Sequence, residues 1–377
     1  MFAIKIINVI SDTNIGGAGK ILINFLKLTS KDEFEHIVIV PKRSLLIPEI
    51  EKLGIEYIEI EGIGEKSFSF SSVKLLYGMF RKLAPDVVHT HASLSARVAA
   101  KIYGKCGIVH TRHSVFDQSN AKKRFPLKQI NGFINNFFSD IIIAVSPAAK
   151  DNIVETGANP AKIKVIFNGI EKTDTISDDE KSKILRKYGF NASDFTCAMI
   201  ARFEEVKGHR YVLEAAEILK DYKDIKFIFA GAGGTESEVR QLTEDLALRN
   251  CVFAGFVKEI YEIENIMSLQ INASFGTEAT SLSLLEGMSL GIPAVASDFG
   301  GNPYVIESGI NGFVVEKKNS EQLAEKIFEL YNDRKLYEKL SEGAKKIFLR
   351  KFTSQAMVAG IEEIYRELAR SGGKTVL

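Results

Sequence analysis

The sequence predicts an α/β protein built from two Rossmann-like parallel-sheet domains facing a cleft, and three observations carry that prediction. Its 377 residues, 45% of them apolar, suffice for two ordinary cores rather than one. Short β-branched runs alternate with segments of helical period from one end to the other, the pattern of parallel strands joined by crossover helices. The alternation breaks once, at the polar stretch Glu171–Glu180, where Ile176 is the only apolar side chain.

The first domain, residues 1–170, opens with the run Ile4–Ile10 and continues with His36–Val40, Asp86–Thr90, Ile108–Thr111, Ile141–Val145 and Lys164–Phe167 as strands. Segments between them, such as Ser93–Tyr103, repeat apolar side chains every three or four positions and predict the covering helices. In the polar stretch, a candidate linker, Ser177 and Glu180 have the spacing of a capping box, so a helix starts there, and Gly189 suits the position just past its end. Strands resume at Thr196–Ala201, Lys226–Ala230, Cys251–Ala254, Leu269–Ala273 and Pro293–Ser297 in the second domain, residues 171–352. Three amphipathic helical segments follow, Ser320–Tyr331, Lys335–Leu349 and Ser354–Leu368. The tail, 353–377, is expected to pack back on the first domain, with its last few residues frayed.

Composition narrows the function. With 49 basic and 48 acidic side chains the formal net charge is +1, so no global field draws nucleic acid, and no nucleic-acid partner is expected. Cys106, Cys197 and Cys251 lie far apart inside apolar runs, which suits buried, reduced thiols rather than a disulfide framework or a metal knot. Met1–Ile10 has neither a basic leader nor a small-residue cleavage site, and nowhere does an apolar run approach the roughly 18 residues that span a bilayer. The expected location is the cytoplasm, with any membrane contact peripheral and on the inner face.

In open parallel sheets ligands gather beyond the carboxyl ends of the strands, so glycines, charges and hydroxyls there are the candidates. The first strand runs into Asn14-Ile15-Gly16-Gly17-Ala18-Gly19, backbone that can approach a phosphate or sugar at a helix start, or simply turn tightly. Four of the six histidines, His89, His91, His110 and His113, fall near predicted strand ends, and His113 is best placed to project into a site. They lack nearby cysteine or carboxylate partners, which argues against zinc. In the second domain, Arg202 and Lys207 stand five residues apart after the first strand; they suit a diphosphate, or else ion pairs with Glu204 and Glu205. The strongest signal is Glu278-Ala-Thr-Ser-Leu-Ser-Leu-Leu-Glu286, two carboxylates eight positions apart across a loop-to-helix junction. Eight helical residues turn through about 800°, so both can face one cleft, and Thr280 and Ser281 sit where free helix amides accept an anion. Finally, Lys122, Lys123, Arg124 and Lys128 precede Ile130, Phe133, Ile134, Phe137 and Phe138, with no acidic residue between Asp117 and Asp140. That segment reads as a core-packed helix behind a basic loop, or as a contact with an anionic membrane.

Together and in this order these residues resemble glycosyltransferase family 4, a group of retaining enzymes with the GT-B fold. The resemblance spans nearly the whole chain. Besides the motifs above it rests on Val109–Ser114, Val145-Ser146-Pro147, Phe167–Ile170, Ala201–Gly208, Phe229–Gly233, Gly255-Phe256-Val257 and Gly287–Pro293. It implies that Arg202 and Lys207 bind the donor diphosphate, assisted by amides around Thr280 and Ser281. Glu278 would hold the transferred sugar, Glu286 the ribose and Val257 the base through its backbone. Gly231 would lie in the donor loop, Gly16 and Gly17 under the donor, and His113 beside the reaction centre. The implied activity is transfer of a sugar from a nucleotide sugar, most naturally a UDP-sugar, to a glycan or lipid-linked acceptor, with retention and with no cofactor or metal. This chain departs from many relatives in having Ala279 rather than Gly after the first glutamate and Leu282 where Asn is common.

Three other readings share the sheets. A nicotinamide-dependent dehydrogenase wants Gly-x-Gly-x-x-Gly in its first turn, and the third glycine is missing here. A nucleotide-sugar epimerase differs only in its product, and a non-catalytic nucleotide-sugar-binding protein has no need of leaving-group cations.

Overall fold

A computed structural model describes residues 3–64, 67–116 and 120–370. The expected fraying of the last few residues falls on 371–377, outside the described residues. The chain forms two compact units: Met1–Ser114, Gln118–Ile170 and Ser354–Leu377 make the first, and Val115–Asp117 with Glu171–Thr353 make the second.

Unit one contains β1 (Ile4–Ile10), α1 (Gly17–Leu28), β2 (Phe34–Pro41), α2 (Ile47–Lys52), β3 (Glu56–Ile60), α3 (Phe70–Leu83), β4 (Val87–His91), α4 (Leu94–Tyr103), β5 (Gly107–Arg112), α5 (Leu127–Phe137), β6 (Ile141–Ala144), α6 (Pro147–Glu155) and β7 (Ile163–Val165). Its sheet runs β3-β2-β1-β4-β5-β6-β7, every pairing parallel. Strand order therefore reverses between β1 and β4. The sequence reading lacks β3, Glu-Tyr-Ile-Glu-Ile, because an edge strand exposed on one side carries charge where a central strand carries valine.

Unit two contains α7 (Asp178–Lys187), β8 (Phe195–Ile200), α8 (His209–Ile218), β9 (Ile225–Ala230), α9 (Glu236–Asp245), β10 (Cys251–Gly255), α10 (Tyr261–Ile266), β11 (Leu269–Asn272), α11 (Leu282–Leu290), β12 (Ala294–Ser297), α12 (Asn302–Val305), β13 (Gly312–Val315), α13 (Ser320–Asn332) and α14 (Arg334–Lys351). Its six strands run β10-β9-β8-β11-β12-β13, again all parallel, with the reversal between β8 and β11. The short edge strand β13 is the second one the sequence reading lacks. Ser177 and Glu180 form the expected capping box at α7, and Gly189 takes the left-handed conformation at φ 74°. The polar stretch before α7 is not loose. Thr173 N donates to Ser289 Oγ at 3.0 Å, Ile176 N to Asn265 Oδ1 at 3.2 Å, and Asn265 Nδ2 to the Asp174 carbonyl at 2.8 Å.

The last helix, α15 (Ser354–Arg370), belongs to unit one and buries Met357, Ile361, Ile364, Tyr365 and Leu368 there. Glu362 and Arg366 fix its register: Glu362 accepts from Thr29 Oγ1 and Ser30 N, while Arg366 pairs with Glu33 at 2.7 Å. Each unit has its own core, with Phe80, Ile7 and Ile39 central in the first and Phe203, Phe227 and Phe229 in the second, all essentially dry. Full burial of each aromatic is worth about 2–3 kcal/mol, and these cores hold the strand ends still.

Candidate functional site

In unit two the loops after β8, β9, β11 and β12 meet at the sheet's reversal point, where an open α/β sheet leaves a crevice for a ligand. Glycines make that meeting possible. Gly208 has φ 80°, and a Cβ there would lie 2.3 Å from the Ala273 carbonyl oxygen; Gly231 has φ 149°, and its Cβ would lie 2.0 Å from that of Ala201. Phe275 N donates to the Val206 carbonyl at 2.8 Å, so the cationic loop and the glutamate loop are bonded edge to edge.

Lys207 and Glu278 close this arrangement. Their Nζ–Oε2 distance is 3.1 Å, with side chains only 14% and 11% exposed. Lys207 also donates to the Thr277 carbonyl at 3.0 Å, and Glu278 accepts from Asn272 Nδ2 and Ser274 Oγ, both at 3.4 Å. Behind them Ser297 Oγ donates to the Ser274 carbonyl, and Asn302 Nδ2 to Asn272 Oδ1 at 3.3 Å. Gly300, at φ 60°, and Gly301 support the carbonyls of Glu278 and Ala279, at which a Cβ would come within 2.0 and 1.7 Å. Asn272, Ser274 and this glycine pair escape the sequence reading. An asparagine at the carboxyl end of a buried strand, where the ligand loop begins, is the signal that could have exposed the first.

Arg202 behaves differently from Lys207. It is 70% exposed at the side chain and pairs with Glu204 at 2.7 Å, the ion pair that the plainer reading of this loop anticipates. Thr280 and Ser281 are buried at the start of α11. Ser281 is the N-cap, and its hydroxyl accepts from Leu284 N at 3.5 Å. The first amides of the helix lack intrahelical acceptors. Glu286 is half-buried on α11. Val257 is partly buried after β10, beside an exposed Phe256, and Gly255 accepts from Gly231 N at 2.8 Å.

Unit one holds a second constellation at its own reversal point. Gly16 caps α1 without a side chain, and Gly17 opens the helix. A Cβ on Gly16 would lie 3.0 Å from Asp12 Oδ2. Strand alternation divides the four histidines. His89, His91 and His113 share a face, their rings 4.4 and 5.1 Å apart in sequence, whereas His110 points the other way and contacts the Thr90 carbonyl at 3.4 Å. His89 is bonded to Tyr365 Oη and Thr111 Oγ1, each at 2.6 Å, and His91 Nδ1 meets His113 Nε2 at 2.8 Å. Burial pushes the imidazoles down, His113 to about 4 and His89 to about 3, so they are neutral at pH 7. One ring of the His91–His113 pair donates and the other accepts. His91 Nε2 is buried without a partner, and a bare acceptor costs less than a bare N–H, so the stable arrangement has His91 Nδ1–H donating. His113 then carries its proton on Nδ1, ready to donate. A cavity of about 20 Å³, lined by His91, His113, Leu22, Phe25 and Met357 among others, lies under α1 and has room for a water.

Among the described residues no three His, Cys, Asp or Glu side chains gather as a metal ligand set. No described helix is long and apolar enough to cross a membrane. Lys122, Lys123, Arg124 and Lys128 lie before and within the first turn of α5, and the core-packed reading of that helix is corrected for Ile130, Phe133 and Phe137, which are exposed, while Ile134 and Phe138 are half-buried.

Two family models tile the chain, "Glycosyltransferase Family 4" over residues 15–174 and "Glycosyl transferases group 1" over 180–347. Among similar curated proteins, the N-acetyl-alpha-D-glucosaminyl L-malate synthase of Bacillus anthracis is 26% identical over 298 residues, 76% of this chain and 75% of that one. The Escherichia coli UDP-Gal:alpha-D-GlcNAc-diphosphoundecaprenol alpha-1,3-galactosyltransferase is 25% identical over 307 residues, 78% of each chain. Among solved structures, a glycosyltransferase from Rickettsia africae superposes with a TM-score of 0.83 at 24% identity, covering 98% of this chain and 99% of its own. HepE of Anabaena, solved with UDP-glucose, gives 0.82 at 20% identity over 96% and 99%. Two parallel sheets in series, each with polar groups at its reversal point, and profiles that tile nearly all of it place this chain in the GT-B glycosyltransferases of the family 4 kind.

Proposed function

We propose that this glycosyltransferase is a retaining enzyme that moves a sugar from a UDP-sugar to a glycan or lipid-linked acceptor, without a bound metal. The carrying observation is the Lys207–Glu278 pair, nearly buried at the reversal point of the unit-two sheet. A buried ion pair there is a costly way to obtain stability, so its presence in the crevice favours a ligand-binding purpose.

In this reading Lys207 lies against the donor diphosphate and lends positive charge as the nucleotide leaves. Arg202 exchanges Glu204 for the same diphosphate. An exposed ion pair is worth only about 0–1 kcal/mol, so the exchange costs little. The first amides of α11, around Thr280 and Ser281, add their partial positive charge. Glu278 accepts from hydroxyls of the transferred sugar while keeping Lys207 as its counter-ion. Glu286 takes the ribose, Val257 the base, and Gly231 keeps the loop low enough for the diphosphate to approach. Within unit one, Gly16 and Gly17 are close-approach backbone for the donor, and His113 offers a neutral N–H to a sugar hydroxyl.

The acceptor oxygen attacks the anomeric carbon on the face from which the diphosphate departs. The carbon–phosphate-oxygen bond breaks, and the acceptor proton passes to the leaving phosphate oxygen. The side chains supply placement and charge rather than a covalent nucleophile. A UDP-galactose donor and a diphosphoundecaprenol acceptor in the name of one relative, and UDP-glucose bound to a protein of the same fold, support this donor class.

A thermal-shift screen of nucleotide sugars tests it. A ligand at about a hundred times its dissociation constant should stabilise the chain by about 2.7 kcal/mol. The reading expects UDP-sugars to give the largest shifts, and transfer in excess EDTA to a product with the donor's anomeric configuration. Absence of any shift, an inverted product or abolition by EDTA would each overturn part of it.

A further inference from the structure

We propose that the outward face of α5 is a docking surface for an anionic lipid bilayer. This helix is inside out by the standard of a soluble protein. Its inward face is small and polar: a Cβ on Gly132 would come within 2.4 Å of the Gly157 carbonyl oxygen. Asn135 accepts from the buried Arg97 at 3.2 Å. Asn136 donates to the Gly157 carbonyl at 3.2 Å and accepts from Asn159 N at 2.7 Å. The outward stripe, at helical spacing, is Leu127, Ile130, Phe133 and Phe137, between 42% and 59% exposed, with Phe125 at 80% just before the helix. The Phe133 and Phe137 rings stack at 5.1 Å, so these two form one continuous apolar surface. A soluble surface rarely leaves such a patch uncovered.

The charge around it selects the occupant. Lys122, Lys123, Arg124 and Lys128 border one end, and Lys101 Nζ sits 5.1 Å from the Phe137 ring centre at the other. The sequence from 118 to 139 has no acidic residue, although Glu155 pairs with Lys123 at 2.7 Å. Apolar side chains ringed by cations match an acyl boundary beneath negative headgroups. A symmetric contact with a second copy would bring the two basic borders together, which like-charge repulsion opposes. Docking here does not depend on the glycosyl-transfer chemistry, and binding is measured without turnover, so failure of one leaves the other standing.

Sedimentation with vesicles tests it. The full chain should bind phosphatidylcholine vesicles containing phosphatidylglycerol, bind pure phosphatidylcholine much less, and release as salt rises. Ile130→Glu with Phe133→Glu should weaken binding by on the order of tenfold or more. Lys122→Ala with Lys128→Ala should cost roughly fivefold per charge. These side chains are exposed, so circular dichroism and UDP titration should match wild type and show that the variants are folded. Wild type failing to bind anionic vesicles, or the double glutamate variant binding as wild type does, would overturn the proposal. So would a concentration-dependent dimer that Phe133→Glu dissolves and vesicles do not displace.

Discussion

The two units share one strand order over six strands, with a seventh added in unit one, and place polar side chains at the same point of their sheets, yet their electrostatics are opposite. Unit two presents a full ion pair, Lys207 with Glu278, satisfied on both sides by neutral amide, hydroxyl and carbonyl groups. Unit one presents a column of neutral imidazoles held so by burial, with hydrogen bonds but no counter-ion within the column. Under the proposed function the difference would match two tasks: a leaving diphosphate needs fixed charge, whereas a sugar hydroxyl needs directed, uncharged donors and acceptors. Topology sets where chemistry sits, and the side chains at the strand ends set what it is.

The largest effects should appear in the charged half. Glu278→Gln is expected to lower transfer by on the order of a hundredfold or more while the fold persists, as read by initial rates and melting. Lys207→Ala should cost a similar factor and, unlike Glu278→Gln, destabilise unit two by about 2 kcal/mol, because it strands a nearly buried carboxylate. Equal melting of the two variants would remove that distinction.

Acid separates the halves next. Five histidines lie in unit one and only His209 in unit two. Burial depresses His36 and His113 to about 4 and His89 to about 3, and lowers His91 and His110 well below the ordinary value. Below about pH 6.5 the unfolded chain then binds more protons than the folded one. The stability from neutral burial is complete above that pH and is lost as pH falls toward the folded-state values, at up to roughly 1.4 kcal/mol per pH unit for each histidine taken singly. Hydrogen exchange at pH 5 should therefore deprotect β4 and β5 before β8 and β9; simultaneous loss would contradict the contrast.

Smaller effects probe the backbone and the rim. Gly300→Ala touches no reacting group, but it forces a Cβ against the Glu278 carbonyl at φ 60°, and it should lower transfer about tenfold by moving that loop. Arg202→Ala should cost only severalfold, because the guanidinium is exposed and salt-screened before the donor arrives. A loss as large as that of Lys207→Ala would mean that Arg202 is the principal diphosphate cation.

Much of this was legible in the linear sequence because parallel sheets buried on both faces announce themselves as β-branched runs. The central strands and the capping box at Ser177 were readable to within a residue or two. The edge strands β3 and β13 were not, since half-exposed strands lose that signature. Glu278 and Lys207 could be singled out one at a time, as charges after strands. Their contact could not, because it depends on Gly208 and Gly276 letting two distant loops touch. The histidine column needed the β4–β5 register to decide which rings share a face. The outward turn of α5 was hidden for a similar reason: Gly132 carries no hydrophobic signal, yet its close packing on Gly157 decides which face is buried.

Calorimetric titration of UDP and UDP-glucose into wild type, Lys207→Ala and Glu278→Gln probes the ion pair itself. If Lys207 meets the diphosphate and Glu278 the sugar, Lys207→Ala should weaken UDP by roughly tenfold or more, whereas Glu278→Gln should leave UDP unchanged and remove whatever affinity the glucose adds. UDP binding equally well to all three proteins would show that the pair only braces two loops, and the donor site would have to be sought elsewhere.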